Sequence, residues 1–340
     1  MTLYVRSYSF SDPSFSDSPV VENDEGTRSF QDQVRSAGQQ YIAVIIKEVT
    51  GTENTVVKVI KKDATELYEI VINKSAKMWD VNDNGEVLLY TETTSNGSVT
   101  RELVCIDNTG SVKWTLDLGE TIPDAIEIGT QYAAIITGSN VRFLSVDDGS
   151  EVNSFDTGYS HSSNGSYQQC YGSADGFTLA YKSGNRIVFA NADGDIWAVD
   201  TGSTKWMYIT GRDINCGRVS TRKEDQWGGR YMHIIFRTGE KPHISADGEF
   251  LISPCGEWAI RAKNKIWLYY VTTSELKLIG EISYASGQSG QKSIDLSFYG
   301  KYALILHDSN TLCVYELKTG VHKDSLDNPL GTRAVMLCSD

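Results

Sequence analysis

No stretch of this 340-residue chain approaches 18 continuous apolar residues, so no segment reads as a membrane-crossing helix. The opening residues, MTLYVRSYSFSDPSFSDS, lack a basic region leading into an apolar stretch, and no cleaved secretory signal is read there. Six cysteines occur (Cys105, Cys170, Cys216, Cys255, Cys313 and Cys338), yet no two stand at C-x-x-C spacing. That excludes a zinc knuckle or a thioredoxin-type motif. Cys105 and Cys313 fall in apolar runs, where a thiol behaves as a small hydrophobe. Without a secretion signal, reduced thiols are expected, and the sequons at Asn73, Asn96 and Asn164 read as chance matches. Positive charge is also scarce: 31 Lys and Arg stand against 44 Asp and Glu, a formal net charge of −13. Nucleic acid needs a basic footprint, and an anionic membrane surface repels acid, so neither is an expected partner. A cytoplasmic or particle-associated location is the expectation.

Catalytic motifs are missing too. The five histidines (His161, His233, His243, His307 and His322) stand alone, without H-x-H or H-E-x-x-H spacing. A metal site needs three or four converging ligands, and only the fold brings such residues together; His233 and His243 are the pair placed for it. No G-x-S-x-G elbow and no G-x-x-x-x-G-K-[ST] loop occurs. Asp80-Val-Asn82-Asp83-Asn84-Gly85-Glu86 resembles half of a calcium loop, but the position that needs Glu is Thr91, with Glu92 one place out. A strand-connecting turn explains it better, because Asn-Gly tolerates positive φ. Asp175-Gly176, Asp193-Gly194 and Asp247-Gly248 read as turns on the same ground. No catalytic, cofactor-binding or metal-ligating residue is assigned, and no cofactor is expected.

What the chain does have is thirty Gly, eighteen Tyr and seven Trp, a mixture that favours strands and tight turns. It also repeats itself. Residues 101–119 read RELVCIDNTGSVKWTLDLG and residues 195–211 read DIWAVDTGSTKWMYITG, with weaker copies at 140–158 and 310–327. Each is an apolar run, a Gly-containing turn and a second run, and a hairpin recurring along a chain is the signature of a propeller or array. Aligned on that hairpin, third strands begin near Arg101, Val141, Asp195, Lys265 and Thr311, at separations of 40, 54, 70 and 46 residues. Blades recur every ~40–50 residues. The long interval therefore places an irregular blade or an insertion in 211–245, built around Tyr231–Arg237. The predicted fold is all-β, a six- or seven-bladed β-propeller of four-stranded antiparallel blades, with seven favoured. A polar arm rich in Ser, Asp and Pro (1–28) precedes the propeller (29–340). Thr2–Ser9 in the arm, or Thr332–Cys338 at the other end, is expected to complete the first blade and close the ring. Trp114 and Trp206 follow the turn in equivalent positions and are expected to pack between blades.

Residues 184–206, GNRIVFANADGDIWAVDTGSTKW, resemble the repeat of PQQ-type, quinoprotein-like propellers: a β run, a small-Asp-Gly turn, an aromatic-Ala-x-Asp strand, Thr-Gly and Trp. The match is partial over 101–119. Elsewhere SADGEFLI and DLSFYGKYALIL resemble WD-repeat blades. These resemblances imply a fold, and the folds they name host enzymes, assembly scaffolds and particle components alike. PQQ dehydrogenases of the class have eight blades, a calcium site and a vicinal Cys-Cys pair. This sequence is short for eight blades and has no such cysteine pair.

Three functions follow as expectations. The first is a non-enzymatic scaffold that holds a protein partner in a larger assembly. Its contact residues are read in 212–230, RDINCGRVSTRKEDQWGGR, as a loop leaving the propeller, with Arg218, Arg222, Lys223, Trp227 and Arg230 as the docking set. Arg and Trp are favoured at interface hot spots. The second is a structural component of a virus- or phage-like particle (a decoration or receptor-binding subunit) whose arm threads onto a neighbour. The third is a carbohydrate-acting enzyme with its site at the central channel, for which a polar channel lined by two or more converging carboxylates is the discriminating sign.

Overall fold

The computed structural model describes residues 2–9, 14–22, 28–49, 53–95, 97–162, 170–309 and 311–327. Seven four-stranded antiparallel sheets follow one another along the chain, each with its strands paired in chain order. They span residues 28–72, 75–117, 125–156, 170–200, 206–245, 249–283 and 293–327, and are numbered here as blades 1 to 7. This is a seven-bladed β-propeller. Third strands start at Glu53, Ser98, Asn140, Arg186, Arg230, Lys265 and Thr311, so successive starts differ by 45, 42, 46, 44, 35 and 46 residues. The 70-residue gap disappears because Ile196–Asp200 is a fourth strand, not a third one. Residues 211–245 supply the end of the first strand and the other three strands of blade 5.

The second and third strands carry the core. Tyr41–Val49, Val87–Ser95 and Tyr132–Thr137 hold unbroken apolar runs because neighbouring blades cover both of their faces. Ala43, Ile45, Val57 and Val59 of blade 1 pack with Val81, Val87, Leu89 and Val104 of blade 2, and equivalent clusters join each later blade to the next as far as blade 7.

The first strand of every blade lies innermost and faces the channel, so it needs no apolar alternation. That is why two of them escape a search for hydrophobic period. Arg28–Arg35 (RSFQDQVR) is polar, and Cys170–Gly172 is three residues long. Trp206–Arg212 is the first strand of blade 5, although sequence alignment assigns its first half to the fourth unit. The closing strand expected from a terminus is not used at the N-terminal end. Thr2–Ser9 pairs with Ser14–Glu22 in a separate two-stranded sheet, and blade 1 draws its inner strand from Arg28 onward. Thr332–Cys338 lies outside the described residues.

What closes the ring is a circlet of hydrogen bonds between the turns that join first and second strands. Gly38 N donates to Asp83 Oδ1 (2.8 Å), Asn82 Nδ2 to Gly129 O (2.9 Å), and Thr130 N to Ala174 O (2.8 Å). Ala174 N then donates to Ile214 O (2.8 Å), Ile214 N to Pro254 O (2.6 Å), and Cys255 N to Phe298 O (3.1 Å). Gln39 Nε2 donates to Leu296 O (3.0 Å), which returns the chain of contacts from blade 7 to blade 1. At Gly129 the turns approach so closely that an added Cβ would sit 1.9 Å from Gly176 N. Only glycine fits there.

Candidate functional site: the mouth of the central channel

Most of these turns open on a short polar side chain that caps the turn and leaves glycine at its fourth position, as in Asn82–Gly85, Ser173–Gly176, Ser253–Gly256 and Ser297–Gly300. Asn82 Oδ1 accepts from Asn84 N (2.9 Å) and Glu86 N (3.0 Å), so the half calcium loop is a capped turn. Two residues before each cap, or before its counterpart Gly129, the first strand sends one residue to the axis: Val34, Asp80, Glu127, Tyr171, Gly211, Leu251 and Asp295. They form one layer around a cavity of about 270 Å³, which Arg35, Gln39 and Arg212 also line. A β-bulge between Ile209 and Gly211 shifts the alternation of that strand and re-aims Arg212.

Charge is concentrated in this layer. Asp80 and Glu127 are buried side by side, hydrogen-bonded to each other. Asp80 Oδ2 also accepts from Ile128 N (2.8 Å), and Glu127 Oε2 from Gly172 N (2.7 Å). Burial raises the Asp80 carboxyl to about 6 against the pull of Arg212. Burial, and then the Asp80 charge, holds Glu127 well above its ordinary value. Two buried carboxyls in contact share a proton rather than both ionising. Burial opposes the Arg212 charge, but Glu127 and Asp80 outweigh it and keep the guanidinium protonated. Its Nη1 stands 3.9 Å from Glu127 Oε2, its plane covers the Tyr171 ring at 5.1 Å, and Nε has no hydrogen-bond partner. Across the channel Arg35 of blade 1 pairs with Asp295 of blade 7. Gln39, 3% exposed, spends its amide N–H on Leu296 and leaves Oε1 without a partner.

The docking set read from the sequence lies away from the channel mouth, and most of it is engaged internally. The 212–230 segment does not leave the propeller: Arg218–Glu224 is the second strand of blade 5. Arg218 donates to Gly256 O (2.6 Å) and lies over the Phe236 ring; Arg222 pairs with Glu249 (2.6 Å). Lys223 is buried, donates to Thr201 O, and has its pKa lowered by that burial. Arg230 bridges Glu224 and Asp247 at 3.2 and 2.7 Å but remains half exposed. Trp227 alone projects, 83% exposed, from the tip of the hairpin that follows. That tip lies on the face opposite the strand-one turns, since the second strand separates them.

His233 and His243 do converge, directly opposite one another in adjacent strands, with rings stacked at 5.1 Å. Both His233 nitrogens lack partners, and burial, then His243, drops its pKa to about 3. Among the described residues no group of three or more His, Cys, Asp or Glu side chains converges as a metal site. Sequence reading took Asp80 only as the start of a turn and did not single out Glu127 or Asp295. Counting back two residues from each turn cap would have found them.

No protein-family model matches the chain, and no curated protein matches it in sequence. Solved structures match it in fold. KlAtg21, solved in complex with the coiled coil of AgAtg16, gives a TM-score of 0.57 at 8% identity, covering 88% of this chain and 99% of that one. Hsv2 of Kluyveromyces lactis gives 0.55 at 10%, covering 89% and 100%. Sqt1 from Chaetomium thermophilum gives 0.54 at 10%, covering 89% and 87%. Likeness at this identity establishes the propeller architecture and nothing finer, and it does not bear on the quinoprotein-like repeat.

Proposed function

We propose that the chain is a non-enzymatic scaffold that holds a protein partner, with Trp227 as its anchor. The observation that carries this reading is an indole exposed over most of its surface on a turn that is already ordered. Asp225 Oδ1 accepts from Trp227 N (2.9 Å) and Gly229 N (2.8 Å), and Asp225 N donates to Gly229 O (2.9 Å). A rigid aromatic presented this way costs little conformational entropy on binding, and Trp is the residue most enriched at hot spots. Beside the turn stand Lys205, Arg230 and Lys263, with side chains 62%, 49% and 54% exposed, in an ion-pair network with Glu224 and Asp247. The matching partner surface is an apolar pocket with carboxylates on its rim. In support, one propeller of this fold is solved with a coiled coil, and another match comes from a mitotic checkpoint complex.

The docking set thereby narrows from five residues to Trp227 and Arg230, because Arg218 and Arg222 tie blade 5 to blade 6 and Lys223 ties it to the end of blade 4. The arm at 1–28 is a separate element in this reading, and capture of the partner should survive its removal. Affinity capture from the native source, with full-length protein and a Trp227→Ala variant side by side, tests the proposal. A stoichiometric protein held by the first and reduced at least tenfold by the second supports it, provided the two unfold at the same temperature. Equal capture by both removes Trp227 as the anchor, and a solitary monomer in both removes the scaffold.

A further inference from the structure

We infer that the cavity at the channel mouth is a binding site for a small neutral polyhydroxylated ligand, of the sugar or polyol class. Seven first strands converge on it, so its walls are set by the whole ring rather than by one mobile loop. At about 270 Å³ it sits near the small end of ligand cavities, ~300 Å³.

Its leftover hydrogen-bonding groups point to hydroxyls. Gln39 Oε1 is a buried acceptor that wants a donor, and the Arg212 guanidinium carries donors that want acceptors. A hydroxyl group serves either need, since it donates once and accepts twice. The charge count argues for neutrality. Arg35 and Arg212 face Asp295 and the Asp80–Glu127 pair, and one proton shared within that pair leaves the ring balanced. A ligand bearing a full charge would unbalance a desolvated site, which costs far more than burying a hydrogen-bonded hydroxyl. Tyr171, Leu251, Ile252 and Pro254 supply an apolar side against which the C–H face of a sugar ring can lie.

The Asp80–Glu127 pair does not have the spacing of a glycosidase's two carboxyl groups. Retaining and inverting glycosidases hold their two carboxyl groups ~5 Å or more apart, with the sugar between them. Asp80 and Glu127 are in hydrogen-bond contact with each other.

Calorimetric titration of the full chain with D-glucose, D-galactose, myo-inositol and glycerol tests the inference, with D-glucuronate and D-glucosamine as charged counterparts of the same ring. The expected result is saturable binding of at least one neutral compound, tenfold or more tighter than either charged one. That binding should weaken at least tenfold in Arg212→Met and in Glu127→Gln; if one variant misfolds by circular dichroism, the other decides. Absence of saturation by every neutral compound overturns the inference. So does tighter binding of glucuronate or glucosamine, or affinity unchanged in a folded variant. Trp227 lies on the opposite face, so this outcome and that of partner capture are read independently.

Discussion

Residues 101–119 and 195–211 are nearly the same words, and the fold uses them for opposite purposes. In the first, Ser98–Ile106 and Val112–Asp117 pair as third and fourth strands of one blade. In the second, Ile196–Asp200 ends blade 4 and Trp206–Arg212 begins blade 5, in different sheets. The difference is one residue in the turn. Asp107 and Gly110 are three apart: Asp107 Oδ1 accepts from Thr109 N (2.8 Å) and Ser111 N (2.9 Å), Asp107 N donates to Ser111 O (2.8 Å), and the hairpin closes on itself. Asp200 and Gly202 are two apart. Asp200 Oδ1 accepts from Gly202 N (2.6 Å), and Thr201 N donates to Asn185 O (3.0 Å) in the preceding turn of its own blade.

The same tight spacing recurs wherever the chain leaves blade 2 or blade 3. Asp117 and Asp156 accept from Gly119 N and Gly158 N at 2.8 Å, and Leu118 N and Thr157 N donate back to Arg101 O and Ser139 O at 2.9 Å. At these three crossings the Asp-x-Gly turn, with its Asp capping the glycine N–H, pins the outer strand to its own blade and frees the next residues to cross. At 107–110 the Asp-x-x-Gly turn folds the strand back. Both place glycine at positive φ (Gly110 at +82°, Gly202 at +75°), so glycine content alone cannot separate them.

The sharpest way to break this contrast is to exchange the spacings. Deleting Asn108 should unpair the last two strands of blade 2 and cost about 3 kcal/mol or more, with hydrogen exchange accelerating over 98–117. Inserting Asn between Asp200 and Thr201 should damage the blade 4 to blade 5 crossing comparably. If either change leaves unfolding free energy and exchange as they were, spacing does not control the crossing.

The two tryptophans sharpen it further. Trp114 reaches from blade 2 into blade 3, where Nε1 donates to Val146 O (2.8 Å), whereas Trp206 rests against Tyr208 within its own strand at 5.3 Å. Trp114→Phe should cost about 1–2 kcal/mol in chemical denaturation, from the lost bond and the unpaired carbonyl. Trp206→Phe should cost less than about 1 kcal/mol. Equal losses would mean that both residues bridge blades.

A further contrast separates turn from channel by pH. Hydrogen bonds, first from the Thr109 hydroxyl and then from Ser111 N, depress the Asp107 pKa, so its contribution is present above ~4 and fades as pH falls below that. Asp80 has the opposite sign. Its folded pKa, raised to about 6, makes the contribution complete below ~4 and lost as pH rises through 6. Asp107→Asn should therefore flatten the stability profile below pH 4, and Asp80→Asn should flatten it between 4 and 6. A profile for Asp80→Asn parallel to that of the parent across pH 4–6 would refute the burial argument.

The sequence by itself determined that the chain is a propeller. Apolar second and third strands such as YIAVIIKEV and YAAIIT, together with Gly turns at steady intervals, are local signals. Each states that a strand is covered on both faces, and covering many such strands requires stacked blades. The seven-fold count and the blade boundaries belong to the tertiary structure. Two of the inner strands that define them, the polar Arg28–Arg35 and the three-residue Cys170–Gly172, carry no hydrophobic period that a sequence pattern can reveal, and a third, Trp206–Arg212, reads as the end of the blade before it. The channel layer was hidden for a related reason. Asp80, Glu127 and Asp295 lie 47 and 168 residues apart in the chain and look like ordinary strand-end acids. Only ring closure removes them from water together, sets them against Arg35 and Arg212, and turns dispersed surface charge into a buried, balanced site.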